Sequence, residues 1–249
     1  MSLTVHQFPC LSDNYGFLVR DTATGLAASI DTPDADAILE QLGQLGWELA
    51  LILNTHWHPD HAGGNAKLKA ATGATVIGPA EVEKIAPVDR KVTGGDTVAL
   101  GATHFSVIET GGHTLGHVAY HDTADGVLFV GDTLFALGCG RLFEGTPQQM
   151  WGSLGRLAAL PDDTTVYCAH EYTAANARFA LSVDDGPALK ARALAVFAAR
   201  ERGEATVPTT IGLEKATNPF LRAPILRPEA ASAVEAFATL RAAKDVFPG

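Results

Sequence analysis

Apolar residues in the first part of the chain come in short, nearly unbroken blocks. The blocks are Tyr15–Arg20, Ala27–Asp31, Leu49–Asn54, Thr75–Ile77, Phe105–Glu109, Val118–His121, Val127–Val130 and Thr165–Cys168. Many are too apolar to leave one face in water, which predicts strands of a sheet covered on both sides. Helical patterns lie between them. Thr32 with Pro33 predicts a helix start ahead of Ile38, Leu42 and Leu45, and Thr146-Pro-Gln-Gln149 is a capping-box pattern ahead of Met150, Leu154 and Leu157. Together these predict an α/β layered architecture. From about residue 171 the period changes. Pro187–Arg202 and Glu229–Ala243 predict helices, the second with Val234, Phe237 and Leu240 at helical spacing, and Ala205–Pro224, with three prolines, predicts an irregular connection. We therefore expect one domain over 1–170 and a smaller helical one over 171–249.

Composition narrows the classes of function. With 249 residues, 47% hydrophobic and 18% charged, the chain can bury a full core and lies far from the signature of disorder. Its formal charge of −10 disfavours nucleic acid and anionic membranes as partners, so an anionic ligand needs a local basic pocket. Cys10, Cys139 and Cys168 are odd in number and widely spaced, which argues against a disulfide framework and for a reducing compartment, most simply the cytoplasm. The start MSLTVHQFPC lacks a basic region followed by an apolar stretch, and no apolar run approaches the roughly 18 residues of a membrane span. A soluble protein is expected. No feature of the sequence specifies an oligomeric state.

Chemistry concentrates after one apolar block. Asn54-Thr-His56-Trp-His58-Pro-Asp60-His61-Ala-Gly-Gly places three histidines and an aspartate within six residues. In an extended segment alternate side chains share a face, so His56 and His58 suit one ion, whereas Asp60 and His61 turn towards a second. Imidazole nitrogen with carboxylate oxygen suits zinc, manganese or iron better than calcium or magnesium. One segment cannot fill two coordination spheres. Further donors are expected at other block ends: His113 in Gly-Gly-His-Thr-Leu-Gly-His117, Asp132 in Val-Gly-Asp-Thr, and His170 in Cys-Ala-His-Glu. Each lies beyond the carboxyl end of an expected strand, where open α/β sheets gather ligands. Asp31 ends its block in the same way and is read as a carboxylate orienting a ligand histidine, the alternative being a cap on the helix at Pro33. His6, His104, His117 and His121 are read as structural, with His117 the one near enough to His113 to support a ligand.

These residues, His56-Trp-His58-Pro-Asp60-His61 with His113, Asp132 and His170 in this order, resemble the metallo-β-lactamase superfamily, whose fold is an αββα sandwich. Gly138-Cys-Gly-Arg141-Leu-Phe143-Glu-Gly145, His170-Glu-Tyr172-Thr and Asn218-Pro-Phe-Leu-Arg222 are similar more narrowly to the hydroxyacylglutathione hydrolases, or glyoxalase II enzymes. That resemblance runs nearly end to end. It implies a catalytic metal-binding domain over 1–170 and a helical substrate-binding domain over 171–249. It further implies two divalent ions, zinc first with iron or manganese as alternatives. His56, His58 and His113 would hold one, Asp60, His61 and His170 the other, and Asp132 would bridge them. Arg141, Phe143, Tyr172 and Arg222 match positions that hold glutathione. Trp57 and Phe143 depart from the pattern: some members carry histidine at the first and tyrosine at the second.

The implied reaction is hydrolysis of S-D-lactoylglutathione, a 2-hydroxyacylglutathione, to glutathione and D-lactate. Asp60 and Asp132 take part as carboxylates of a centre whose bound water, with its pKa lowered to about 7, is the expected nucleophile. A cysteine-like thiol, with a pKa of about 8.5, departs with little help from an acid. The alternatives are a mononuclear iron persulfide dioxygenase, another hydrolase of the same fold, and a non-catalytic metal-stabilised module. Seven candidate ligands favour two metals over one.

Overall fold

A computed structural model describes residues 2–248, which form two compact units. The first runs to Glu109 and includes Thr114–Gly131; the second comprises Thr110–His113 and the chain from Asp132 onward.

In the first unit, β1 (Leu3–Cys10), β2 (Asn14–Asp21), β3 (Leu26–Ile30), β4 (Glu48–Leu53), β5 (Thr75–Gly78) and β6 (Arg90–Lys91) make a sheet in sequence order. β1, β2 and β3 pair antiparallel, and β3 to β6 pair parallel. The parallel steps require crossovers, which α1 (Ala35–Leu45) supplies between β3 and β4, α2 (Pro59–Ala62) and α3 (Asn65–Thr72) between β4 and β5, and a 3-10 turn over Ala80–Lys84 between β5 and β6. Ile38 and Leu42 of α1 and Leu68 of α3 bury against Leu18, Ile52 and Val76 of the sheet. Asp34 caps α1, accepting from the amides of Asp36 and Ala37, so the helix begins later than Thr32 and Pro33 suggested. Thr32 is occupied elsewhere: its amide donates to the His61 carbonyl at 2.7 Å and its carbonyl accepts from Gly64 at 3.2 Å.

β7 (Thr97–Leu100), β8 (Thr103–Glu109), β9 (Val118–Asp122) and β10 (Val127–Gly131) form an antiparallel meander in the same unit. β9 and β10 are buried throughout, as apolar blocks covered on both faces should be. Phe129 packs on Phe17 at 5.6 Å and on Phe105 at 6.5 Å between ring centroids, joining this meander to the first sheet. Asp21 ties the two from β2, accepting from the Ala102 amide at 3.2 Å and the Thr103 hydroxyl at 3.0 Å. The Thr24 hydroxyl above all, with these donors, holds the Asp21 carboxyl down at about 2 against the opposing effect of burial.

The second unit holds a short hairpin of β11 (Leu134–Phe135) and β12 (Gly138–Cys139), then α4 (Pro147–Ala158), which opens on the expected Thr146–Gln149 capping box. β13 (Thr165–Cys168) leads to α5 (Thr173–Val183) and α6 (Pro187–Glu201). The segment expected to be irregular contains β14 (Thr209–Thr210), which pairs with β13, then α7 (Ile211–Thr217) and the start of α8 (Ala223–Leu226). Its prolines fall outside α7, so they do not prevent that helix. α9 (Ala233–Asp245) starts later than Glu229 because Ser232 caps it, accepting from the Glu235 amide. Phe220 stacks on Phe179 at 5.8 Å and meets Phe237 edge-on at 6.0 Å to make the core of these helices. Among the described residues no helix is long and apolar enough to cross a membrane.

Candidate metal centre

The chain leaves β4 at Leu53 and runs through Asn54 to Pro59 before turning into α2. Pro59 keeps His58 extended, at φ −58° and ψ 147°, and His56 Nε2 lies 3.1 Å from His58 Nδ1. Two nitrogens on one tetrahedral zinc at about 2.0–2.1 Å are separated by about 3.3 Å, so this pair has the spacing of two ligands on one ion. In the turn, Asp60 Oδ2 lies 3.5 Å from His61 Nε2 and accepts from Asn14 Nδ2 at 3.1 Å. Gly64 closes the turn where a Cβ would come within 2.8 Å of the Thr32 carbonyl oxygen.

Proton accounting fixes which ring nitrogens face outward. Asp31 accepts from the Thr55 amide at 2.7 Å, the Thr55 hydroxyl at 2.8 Å and His61 Nδ1 at 2.8 Å. The Thr55 hydroxyl has given its only proton to Asp31, so His56 Nδ1, 3.0 Å away, must donate to that oxygen. Both imidazoles therefore present an unprotonated Nε2, the form that binds a metal. Asp31 does this from a left-handed backbone, φ 59°, that aspartate tolerates better than most residues. It caps no helix. His117 is buried and stacks on His56 at 4.8 Å, supporting the ring from its face.

In the second unit, His113 Nδ1 donates to the Arg141 carbonyl at 2.8 Å, which turns its Nε2 towards Asp132 Oδ2 at 3.4 Å. His170 Nε2 lies 3.3 Å from the other oxygen, Asp132 Oδ1. One carboxylate thus faces a different histidine with each oxygen, as a bridging ligand requires. Tyr172 stacks flat on His170, 4.7 Å between centroids and 2° between planes. The candidate metal donors are His56, His58, Asp60 and His61 in the first unit and His113, Asp132 and His170 in the second. Their spacings within each unit and their nitrogen and oxygen chemistry fit divalent transition ions.

His113 and Asp132 also line a cavity of about 350 Å³ in the second unit, with Phe135, Cys139, Arg141, Phe143, Tyr172, Arg241 and Lys244 among its walls. Arg141, Phe143 and Tyr172 are thus brought together. Arg222 is not among the lining residues; its guanidinium is ion-paired with Asp184, just past the end of α5. Arg241 and Lys244, one helical turn apart on α9, are cavity cations that sequence reasoning did not single out. Their only signal was basic residues on one helix face, which a solvated face gives equally. Arg241 is buried and donates to the Cys139 carbonyl at 2.9 Å, and Asp245 accepts from it at 3.0 Å while lying 3.5 Å from Arg141 Nε. Burial, then the neighbouring Arg241 and Arg178, lowers the Lys244 pKa.

Comparison with known proteins places this arrangement. Residues 19–170 match the model of the metallo-beta-lactamase superfamily, and residues 171–247 match that of the hydroxyacylglutathione hydrolase C-terminus. A hydroxyacylglutathione hydrolase of Maricaulis maris is 56% identical over 98% of this chain and 99% of its own length. Among solved structures, ETHE1 from Myxococcus xanthus has a TM-score of 0.73 at 28% identity, covering 98% of this chain and 92% of that one. TTHA1623, crystallised in a di-iron-bound form, has a TM-score of 0.63 at 28% identity, covering 88% of this chain and 100% of that one. The chain belongs to the metallo-β-lactamase superfamily and, within it, to the hydroxyacylglutathione hydrolase family, with the mixed α/β fold of the first and the helical C-terminal domain of the second.

Proposed function

We propose that this protein is a glyoxalase II thioester hydrolase that cleaves S-D-lactoylglutathione to glutathione and D-lactate. The observation that carries the reading is Asp132, whose two oxygens face His113 and His170 and which, with His113, lines a cavity that also holds Arg141, Arg241 and Lys244. His56, His58 and His113 are assigned to one ion and Asp60, His61 and His170 to the other, with Asp132 shared; zinc is the first choice, iron or manganese the alternatives. When bound, two divalent ions supply an acidified water and a Lewis acid for a carbonyl. Everything else falls to the protein. Asp31 and Thr55 hold the tautomers of His61 and His56, and the Arg141 carbonyl holds that of His113.

Glutathione carries two carboxylates, and the net charge of −10 makes a local set of cations necessary to attract it. Arg141, Arg241 and Lys244 provide that set, with Phe143 and Tyr172 as apolar walls. Arg222, paired with Asp184 and outside the cavity lining, is kept as a weak contributor. A thiol leaving group with a pKa near 8.5 departs without calling on a dedicated acid. We further propose a division into a catalytic part over 1–170 and a substrate-binding part over 171–249, which the two family matches support, one ending at residue 170 and the other starting at 171. A reducing cytoplasm suits Cys10, Cys139 and Cys168, all buried thiols. The test is a steady-state assay with S-D-lactoylglutathione together with metal analysis of the same preparation. Turnover with about two ions per chain is expected; a fully loaded protein without thioesterase activity overturns the reading.

A further inference from the structure

The β11–β12 hairpin contributes Phe135 and Cys139 to the cavity wall, yet its own backbone is too short to satisfy itself. Its turn residue Leu137 is fully buried in a left-handed conformation, φ 58°, unfavourable for leucine. Side chains from the helical segment take up the polar groups that the two-residue strands leave unpaired in the turn. The Leu137 amide donates to Glu214 Oε2 at 2.9 Å. Asn218 Nδ2 lies 3.1 Å from the Phe135 carbonyl, 2.9 Å from the Gly138 carbonyl and 2.9 Å from Glu214 Oε2. Asn218 Oδ1 in turn accepts from the Phe220 amide at 2.9 Å, fixing which end of the amide faces the hairpin. Glu214 is completely buried and is charge-compensated by Arg192, with the Thr209 hydroxyl donating to it at 2.6 Å.

The hairpin so held places the Phe135 ring edge-on to both His170, at 5.9 Å, and Tyr172, at 5.4 Å. Neither Glu214 nor Asn218 lines the cavity. We propose that Glu214 and Asn218 are positioning residues for glutathione recognition: they clamp the hairpin at Phe135, Leu137 and Gly138, beside Asn176, which donates to the Ala136 carbonyl at 3.1 Å, so that Phe135 and Tyr172 keep the shape of the cavity wall. This rests on the glutathione-thioester reading. A buried carboxylate and carboxamide spent on one turn, in a chain segment far away in sequence, are explained by a wall that must not move.

The test compares Asn218→Ala with the parent holoenzyme on S-D-lactoylglutathione and on a small neutral thioester that lacks the whole glutathione moiety and so does not reach the cavity wall. We expect KM for the glutathione thioester to rise about tenfold, the size of one well-made hydrogen bond, with kcat and metal content unchanged and the neutral substrate unaffected. Equal losses on both substrates, or no change in a folded variant, overturn the proposal. A second measurement needs no variant: amide exchange at Leu137 in the parent holoenzyme is expected to require global unfolding, and exchange as fast as that of an open loop overturns the clamp even if Asn218→Ala fails to fold. A parent protein inactive on the glutathione thioester would instead remove the functional reading, with Leu137 exchange still judging the clamp.

Discussion

The donor loop of the first unit and the cavity of the second solve different problems. Between His56 and His61 four candidate ligands sit in one short segment, and buried groups, Asp31, Thr55 and Asn54, hold them from behind. The cavity draws its cations from Arg141, Arg241 and Lys244, which are about a hundred residues apart at the extremes, and leaves Arg141 exposed. Metal ligation needs fixed geometry, which a locally braced segment provides. Recognition of a flexible tripeptide needs charge at several points, which only tertiary folding gathers. Substitutions behind the loop should therefore change metal binding, and substitutions of the cavity cations should change KM alone.

The largest effect is expected at the residue proposed to serve both ions. Asp132→Ala should remove most of the metal and lower kcat/KM by roughly a thousandfold or more, since neither ion keeps its full set of ligands. Metal analysis beside the thioester assay checks this, and a loaded, active variant would break the assignment at its root.

One step back from the ions, Asp31→Asn keeps the side-chain shape, and asparagine tolerates the left-handed backbone. It removes the charge that draws His61 Nδ1–H and the Thr55 hydroxyl. Metal affinity should fall by about ten- to a hundredfold, the range for a lost outer partner of a ligand histidine. Titration of metal-free protein with zinc measures it; unchanged affinity would mean the brace is dispensable. On the cavity side, Arg141→Ala should raise KM for the glutathione thioester by about tenfold or more with metal content intact. A loss of metal there would erase the distinction between the two regions, because the His113 ring is held by the Arg141 backbone, not its side chain.

The legibility of the sequence follows the same contrast. His56, His58, Asp60 and His61 are adjacent in the chain, so their chemistry could be read before any fold was known. His113, Asp132 and His170 could be singled out as candidates because each follows an apolar block. Arg241 and Lys244 were not, since nothing in the α9 pattern separates a cavity wall from a solvated face. Strand β1 was missed because it is an edge strand, half solvated, with His6, Gln7 and Pro9 interrupting its apolar positions. The hairpin β11–β12 was missed because each strand has two residues and its stability comes from Glu214 and Asn218.

The first unit also makes a pH prediction. The Asp21 carboxyl is held at about 2 in the fold against an ordinary value of 3.8, so the folded state favours its ionised form. That stabilisation is fully present above pH 4 and is lost as pH falls towards 2. Asp21→Asn should lower the Tm at neutral pH and make the stability of the first unit less steep in acid. A parallel loss for parent and variant from pH 4 to 2 would place the acid sensitivity elsewhere.

The smallest effect is expected at Arg222, and it tests how far recognition extends into the helical tail. The guanidinium is mostly buried and paired with Asp184, whose side chain is 7% exposed, and it lies outside the cavity lining. To clamp a substrate carboxylate it would have to leave a partner of the same chemistry, so little net binding is gained. Removing it also leaves Asp184 buried without its counter-ion, which destabilises the end of α5. Arg222→Ala should therefore raise KM by about threefold or less while lowering the Tm, since breaking a buried pair costs more than one exchanged contact contributes. Double substitution of Arg222 and Asp184 by alanine should recover part of the stability and leave KM near the parent value. A rise in KM of tenfold or more, confined to the glutathione thioester, would show that Arg222 leaves Asp184 for the substrate, and the recognition surface would then extend beyond the cavity to the start of α8.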